Sequence, residues 1–412
     1  MIITFIIFLQ IIKQKKSNSI KVGILHSRTG PMTFTEANVI DATILAISEI
    51  NRRGGVLSRQ LEPILADGKS DPLIFAKEAE KLIKEKNVEV IFGCWTSSSR
   101  KTVKDVVEKY NILLFYPVQW EGIETSNNII YTDSTTNQQA IPAIKWSIDN
   151  LGKKIFLVGP DTIYTKLTNE TIAEFAPGIG AKVVGNEYIN LSHENFDKMV
   201  QKIVETKPDV VINSLSDEGN IKFFKEIDLL TKKGLDINVM SFSISETELQ
   251  EMEIENVKGT YSCWSYFQSL DSKENREFVF KVKDKFGKSK VTSDTMQAAY
   301  CGVYLWANAV KKIYSTKTDL VKKTLPEIVF NAPDGILQID GENNNAYRPI
   351  YVGKVNSQRQ FDIIWKGNIP IKPVIYPNDF FVSKFRKKIK TKKDWQNFVN
   401  ELYRGWGNQW VG

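Results

Sequence analysis

From Ile20 onward, short apolar runs alternate with longer segments whose apolar positions recur at helical spacing. Residues 21–25 read as a buried strand. Residues 35–53 follow as a helix, with Ile40, Ile44, Ile47 and Ile50 on one stripe and Gly54-Gly55 closing it. Further strands fall at 61–66, 88–92 and 112–116, separated by helices at 73–85 and 101–109. Nearly continuous apolar strands alternating with helices predict a parallel sheet covered on both faces.

The pattern restarts after Pro142. Strands at 154–158, 182–186, 209–213, 237–241 and 259–264 alternate with helices at 168–175, 196–206 and 219–230. A long helix at 292–314 carries Met296, Tyr300, Val303 and Ala307 on one stripe, and strand-like stretches follow at 334–339, 349–355 and 361–365. The expected architecture is α/β, with two doubly wound lobes in series and the later segments crossing back. Ligands of such sheets sit beyond the carboxyl ends of the strands, so the site is expected in the cleft between the lobes.

Composition narrows the function. A chain of 412 residues, 42% hydrophobic and 25% charged, suits two globular lobes. The net charge of +7 suggests nucleic acid until it is located. Residues 1–20 carry Lys13, Lys15 and Lys16 with no acid, and residues 376–412 carry eight basic against three acidic side chains. The body is therefore close to neutral, and no nucleic-acid groove is expected across it. Cys94, Cys263 and Cys301 have no CxxC spacing, and His26 and His193 are the only histidines, which leaves little for metal or His-based chemistry. No phosphate loop, usable dinucleotide fingerprint or calcium loop occurs, so neither cofactor nor metal is expected.

The two ends differ from the body. Residues 1–12 are almost wholly apolar and precede a basic run, too short to span a bilayer, and residues 1–20 read as an atypical signal or anchor segment. Seven of the ten residues from Lys384 to Lys393 are basic, and Trp395, Phe398, Leu402, Trp406 and Trp410 recur near helical spacing. Such a helix either lies on an anionic membrane surface or partner, or packs its rings back on the body.

Two strand ends carry the candidate chemistry. Gly93-Cys94-Trp95-Thr96-Ser97-Ser98-Ser99-Arg100-Lys101 follows one strand, and Leu114-Phe115-Tyr116-Pro117-Val118-Gln119-Trp120-Glu121-Gly122 spans the end of the next. A small planar neutral ligand needs rings on its faces and a polar partner for every donor and acceptor, because an unpaired buried amide costs several kcal/mol. Trp95 and Tyr116 offer rings. Thr96 and Ser97 offer hydroxyls and helix-start N–H groups, and Gln119 an amide. The alternative for each is structural: an ordinary helix cap for the Thr-Ser run and a core position for Trp95. Arg100 and Lys101 could clamp an anionic group at the helix start, but inside the predicted helix they are expected in surface pairs with residues such as Asp105. A hydrolase reading would need Cys94 as nucleophile, yet neither histidine is near it in sequence.

These segments, with His26-Ser27, residues 51–56, Tyr131-Thr132, Asn137-Gln138-Gln139, Tyr266-Phe267-Gln268-Ser269 and Ala299-Tyr300, resemble the solute-binding proteins of urea ABC transporters. Those are relatives of short-chain amide and branched-chain amino-acid receptors. The resemblance covers about residues 21–377 and implies a type I periplasmic binding protein fold. Its expected lobes are about 21–137 with 267–342, and 138–266 with 343–377, leaving 378–412 as an extension. Carried over by motif, Trp95, Thr96 and Ser97 fall on a first ligand loop, Tyr116 and Gln119 on a second, and Tyr164 on an aromatic position of the second lobe. Thr165-Lys166 stands where the family has Pro-Arg, residues 213–220 differ from the family pattern, and Asp133 replaces a glycine. The resemblance implies a non-enzymatic, periplasmic or extracytoplasmic receptor for urea or a short-chain amide. It would be served by ABC transporter permease subunits, with a sensor for the same ligands as the alternative.

Overall fold

The computed structural model describes residues 19–190, 196–377 and 391–411. The expected signal or anchor segment falls almost wholly outside the described residues, as does most of the basic run before Thr391. Among the described residues, no helix is long and apolar enough to cross a membrane.

The chain opens with β1 (Ile20–His26), α1 (Thr33–Arg52), β2 (Leu61–Asp67), α2 (Pro72–Lys84), β3 (Val90–Gly93), α3 (Ser97–Tyr110), β4 (Leu113–Tyr116) and β5 (Ile129–Tyr131). These strands form a parallel sheet in the order β2-β1-β3-β4-β5. Both faces are apolar, as the sequence pattern requires. Ile20, Val22, Ile24, Val90, Phe92, Leu113 and Phe115 enter one core, while Leu25, Ile91, Leu114 and Tyr116 enter the other.

A second run follows: α4 (Ala140–Asn150), β6 (Lys154–Pro160), α5 (Ile163–Phe175), β7 (Lys182–Ile189), α6 (Asp197–Thr206), β8 (Val210–Asn213), α7 (Asp217–Lys232) and β9 (Asn238–Ser241). Two short helices, α8 (Glu246–Glu251) and α9 (Ile254–Val257), lead to β10 (Tyr261–Trp264). The chain then crosses back to cover the first sheet with α10 (Lys273–Phe286), α11 (Asp294–Ile313) and α12 (Thr318–Thr324), followed by the hairpin β11 (Phe330–Ala332) and β12 (Gly335–Leu337). It returns to add β13 (Tyr351–Val355) and β14 (Phe361–Lys366) to the second sheet, ordered β14-β13-β10-β9-β8-β6-β7. β13 runs antiparallel to β10 and, through a short hairpin, to β14, so this sheet is mixed.

The lobes are tied where the chain crosses. Gln138 Nε2 donates to the Ala346 and Ile371 carbonyls at 2.9 and 2.8 Å, and Gln139 Nε2 to the Cys263 carbonyl at 2.8 Å. Arg348, fully buried, lies 3.1 Å from Asp334 and 3.4 Å from Asp294.

The aromatic stripe after Thr391 forms α13 (Lys392–Gly405) and packs back on the body. Trp395 is fully buried there, and Phe398, Leu402, Trp406 and Trp410 are partly covered by the same core.

Candidate functional site

Each sheet has one place where the chain reverses its direction of travel across the strands: between β1 and β3 in the first, and between β6 and β8 in the second. Loops diverge from such points and leave a crevice at the carboxyl ends. A cavity of about 140 Å³ joins the two crevices. Its walls come from the loops after β3, β4, β6, β8 and β9.

The loop after β3 is forced into shape by close packing. Gly93 lies so near the Leu25 carbonyl that an added Cβ would sit 2.1 Å from that oxygen. The next residue, Cys94, then turns the chain with φ of +66°. This delivers Trp95 to the cavity and starts α3 at Ser97, a turn earlier than the sequence pattern gave. Thr96 is the cap: its hydroxyl accepts the Ser99 N–H at 3.1 Å.

All six residues singled out from sequence line this one cavity. Their polar groups are engaged differently from the expectation of free ligand contacts. The Tyr116 hydroxyl donates to the Trp95 carbonyl at 2.7 Å, so it braces the first loop and its ring forms the wall. Ser97 Oγ donates to Glu121 at 2.6 Å and accepts from Arg100 at 3.2 Å. Gln119 Nε2 reaches across the cleft to the Phe242 carbonyl, 3.0 Å away, while Gln119 Oε1 has no partner. That carbonyl fixes which end of the amide is nitrogen. Tyr164 lies in the first turn of α5, its hydroxyl 3.5 Å from Gln139 Oε1.

Arg100 and Lys101 correct the sequence expectation. They do not pair on the surface with Asp105; both are buried. Arg100 donates to Glu121 at 2.7 Å and Glu124 at 3.1 Å, and Lys101 to Glu124 at 2.7 Å. The guanidinium lies 5.1 Å from the Tyr116 ring centre and 4.9 Å from that of Trp120. Burial opposes ionisation of Glu124, but Lys101 and Arg100 outweigh it and hold its carboxyl well below the usual range. Two cations and two carboxylates neutralise one another, so this cluster offers no charge to a ligand. It fixes Ser97 and the loop of Gln119 from behind.

Among the described residues no cationic side chain lines the cavity, and two acidic ones do, Glu248 and Asp294. Positive potential comes instead from helix starts. The N-terminal turns of α3, α5, α7 and α11 all border the cavity through Thr96, Thr162, Ser216 and Asp294. Such turns present N–H groups without intrahelical partners to a carbonyl oxygen. Burial, then the neighbouring Asp133, push Asp294 well above the usual carboxylate range. Asp294 Oδ2 and Ser214 Oγ, both buried, have no hydrogen-bond partner.

Sequence reasoning missed Thr162, Ser214, Ser216, Phe242, Glu248 and Asp294. Each follows a strand or starts a helix, so listing the capping residues after every second-lobe strand would have found most of them. Reading α5 from 168 instead of Ile163 hid its first turn.

The chemistry of a covalent step is poorly served. Strand pairing places His26, the last residue of β1, near Cys94, the first residue beyond β3, closer than sequence distance suggested. His26 Nδ1 is bound to Glu36 at 2.8 Å, and its Nε2 has no partner. Burial, then Glu36, push the Cys94 thiol far up, away from the reactive thiolate. Among the described residues, no group of three or more His, Cys, Asp or Glu is arranged to hold a metal ion.

Comparison with known proteins agrees with this architecture. Residues 20–383 match the family described as periplasmic binding protein domain. The Leu/Ile/Val-binding protein homolog 6 of Brucella suis is 22% identical over 359 residues, covering 82% of this chain and 87% of that protein. A solute binding protein of an ABC transporter from Rhodopseudomonas palustris HaA2, solved in complex with p-hydroxybenzoic acid, has the same fold. Its TM-score is 0.79 at 20% identity, over 86% of this chain and 98% of that one. A limonene hydroxylase from Geobacillus stearothermophilus is 37% identical over 119 residues, a match spanning 28% of this chain and 22% of the hydroxylase. With the family match extending over most of its length and the two lobes of a type I fold meeting at a shared cleft, the chain belongs to the periplasmic binding protein domain family.

Proposed function

We propose that this protein is the solute receptor of an ABC-type transporter, capturing urea or a short-chain amide by lobe closure and delivering it to the permease outside the cytoplasm. The observation that carries the ligand class is Gln119 Oε1, an acceptor in the cavity wall left without a partner. A buried unpaired acceptor is costly, so a fitting ligand brings an N–H donor to it. Its carbonyl oxygen would face the helix starts across the cavity, and the rings of Trp95, Tyr116 and Tyr164 would exclude water from its faces. The absence of a lining cation among the described residues, with Glu248 in the wall, favours a neutral guest over a carboxylate.

Size supports the same reading. A dry cavity of roughly 150 Å³ in another protein holds benzene. A site of about 140 Å³ therefore has room for a guest the size of urea or acetamide. Urea has four heavy atoms, and a ceiling of about 1.5 kcal/mol per atom gives about 6 kcal/mol, or a Kd of tens of micromolar. Nearly every ligand atom must then be used.

One observation favours a second reading, a zwitterionic amino acid. The relative from Brucella suis is named for Leu/Ile/Val binding, and here the helix starts and Asp294 could face a carboxylate and an ammonium. A thermal-shift screen separates them. Urea or acetamide is expected to raise Tm, while leucine and 4-hydroxybenzoate leave it unchanged. Stabilisation by leucine alone would replace the amide reading.

A further inference from the structure

None of residues 391–411 lines the cavity, yet this segment is bound to both lobes. Near its start, Gln396 Nε2 donates to the Tyr376 hydroxyl at 3.3 Å, and the Lys392 ammonium lies 5.1 Å over the same ring. The preceding residue, Ile375, is held to the first lobe by the Ile123 N–H at 2.9 Å. Trp395 anchors the helix in the first lobe's outer core. Farther on, two adjacent residues diverge. The Trp410 ring lies 4.8 Å from the Lys101 ammonium on α3, in the first lobe. The Val411 carbonyl accepts the Ile163 N–H at 2.9 Å, capping α5 in the second lobe.

These two helices supply cavity walls from opposite sides: Thr96 and Ser97 at the start of α3, and Thr162 and Tyr164 at the start of α5. Opening the cleft must separate α3 from α5. Trp410 and Val411 cannot stay on both when that happens, since one peptide unit joins them. Apolar packing reinforces the tie, for Ile163 and Leu167 of α5 share one core with Trp395, Trp406 and Trp410.

We propose that residues 391–411 are a latch holding the two lobes shut, and that the cleft opens only when the Trp410–Val411 end lets go of one lobe. This is independent of which solute the cavity takes. All three native cysteines are buried, so spin labels placed through Leu73→Cys on α2 and Leu229→Cys on α7, both exposed positions, report the distance between lobes. With no ligand added, the full-length labelled protein is expected to give one narrow short distance. Trp410→Ala and Trp395→Ala are each expected to add a longer population of at least a third of the molecules. Should Trp395→Ala fail to fold, Trp410→Ala alone decides. A distance distribution unchanged by Trp410→Ala, or a full-length protein already mostly open, would overturn the latch.

Discussion

Gln119 illustrates how one side chain serves closure and recognition together. Its N–H joins the lobes while its oxygen is left for the guest. Replacing it with methionine keeps the bulk and removes both functions. Gln119→Met is expected to weaken urea binding at least tenfold, the size of one lost hydrogen bond, with Tm moved by little. Calorimetric titration checks this, and an unchanged Kd would remove Gln119 from the site. Tyr116→Phe is expected to act indirectly, by freeing the Trp95 carbonyl from its 2.7 Å bond, so the bound state should show increased mobility of residues 94–97 in hydrogen exchange. At this level the sequence was informative where a motif follows a strand, as for Trp95 and Tyr116. Asp294 was not legible, because its place in the cavity depends on α11 returning from far along the chain.

The element that matters most is α3, whose first turn borders the ligand cavity and carries a buried charge cluster behind it. Arg100 is fully buried between Glu121 and Glu124, so Arg100→Met leaves two carboxylates with one remaining cation. Breaking a buried pair in this way costs about 3–5 kcal/mol. Urea denaturation would confound a urea receptor, so guanidinium unfolding is the measurement, and a loss below about 1 kcal/mol would contradict the account. The pH dependence follows from Glu124. Its carboxyl lies below the ordinary value of 4.5 in the folded protein, so its contribution is complete above that value and is lost as pH falls through the folded pKa. Glu124→Gln is expected to flatten the acid limb of a Tm–pH curve. Helical spacing alone placed Arg100 and Lys101 on a surface. Their partners Glu121 and Glu124 lie more than twenty residues away, and only the pairing of β3 with β4 brings them close.

For the molecule as a whole, alternation of strand and helix was enough to give two lobes and a cleft, since strands buried on both faces admit little else. β13, antiparallel to both its neighbours, and β14 were legible as strands but not in direction. The aromatic stripe of α13 fitted a membrane surface or the body equally well until its fully buried Trp395 was placed. A second pH effect belongs to the crossing between lobes. Glu246 is fully buried and accepts the Gln268 N–H; burial raises its carboxyl to about 8 from an ordinary 4.5. The folded protein holds that proton more tightly than the unfolded chain, so this contribution is complete below about 4.5 and gone above about 8. Glu246→Gln is expected to raise Tm at pH 9 and to leave it nearly unchanged at pH 4, and the opposite order would contradict the assignment.

The central claim is that a small neutral N–H donor occupies the shared cavity. Calorimetric titration of the purified protein with urea tests it most directly. A single site with a Kd of tens of micromolar, and no heat from 4-hydroxybenzoate under the same conditions, is the expected result. Saturable binding of 4-hydroxybenzoate or leucine with no heat from urea, formamide or acetamide would contradict it.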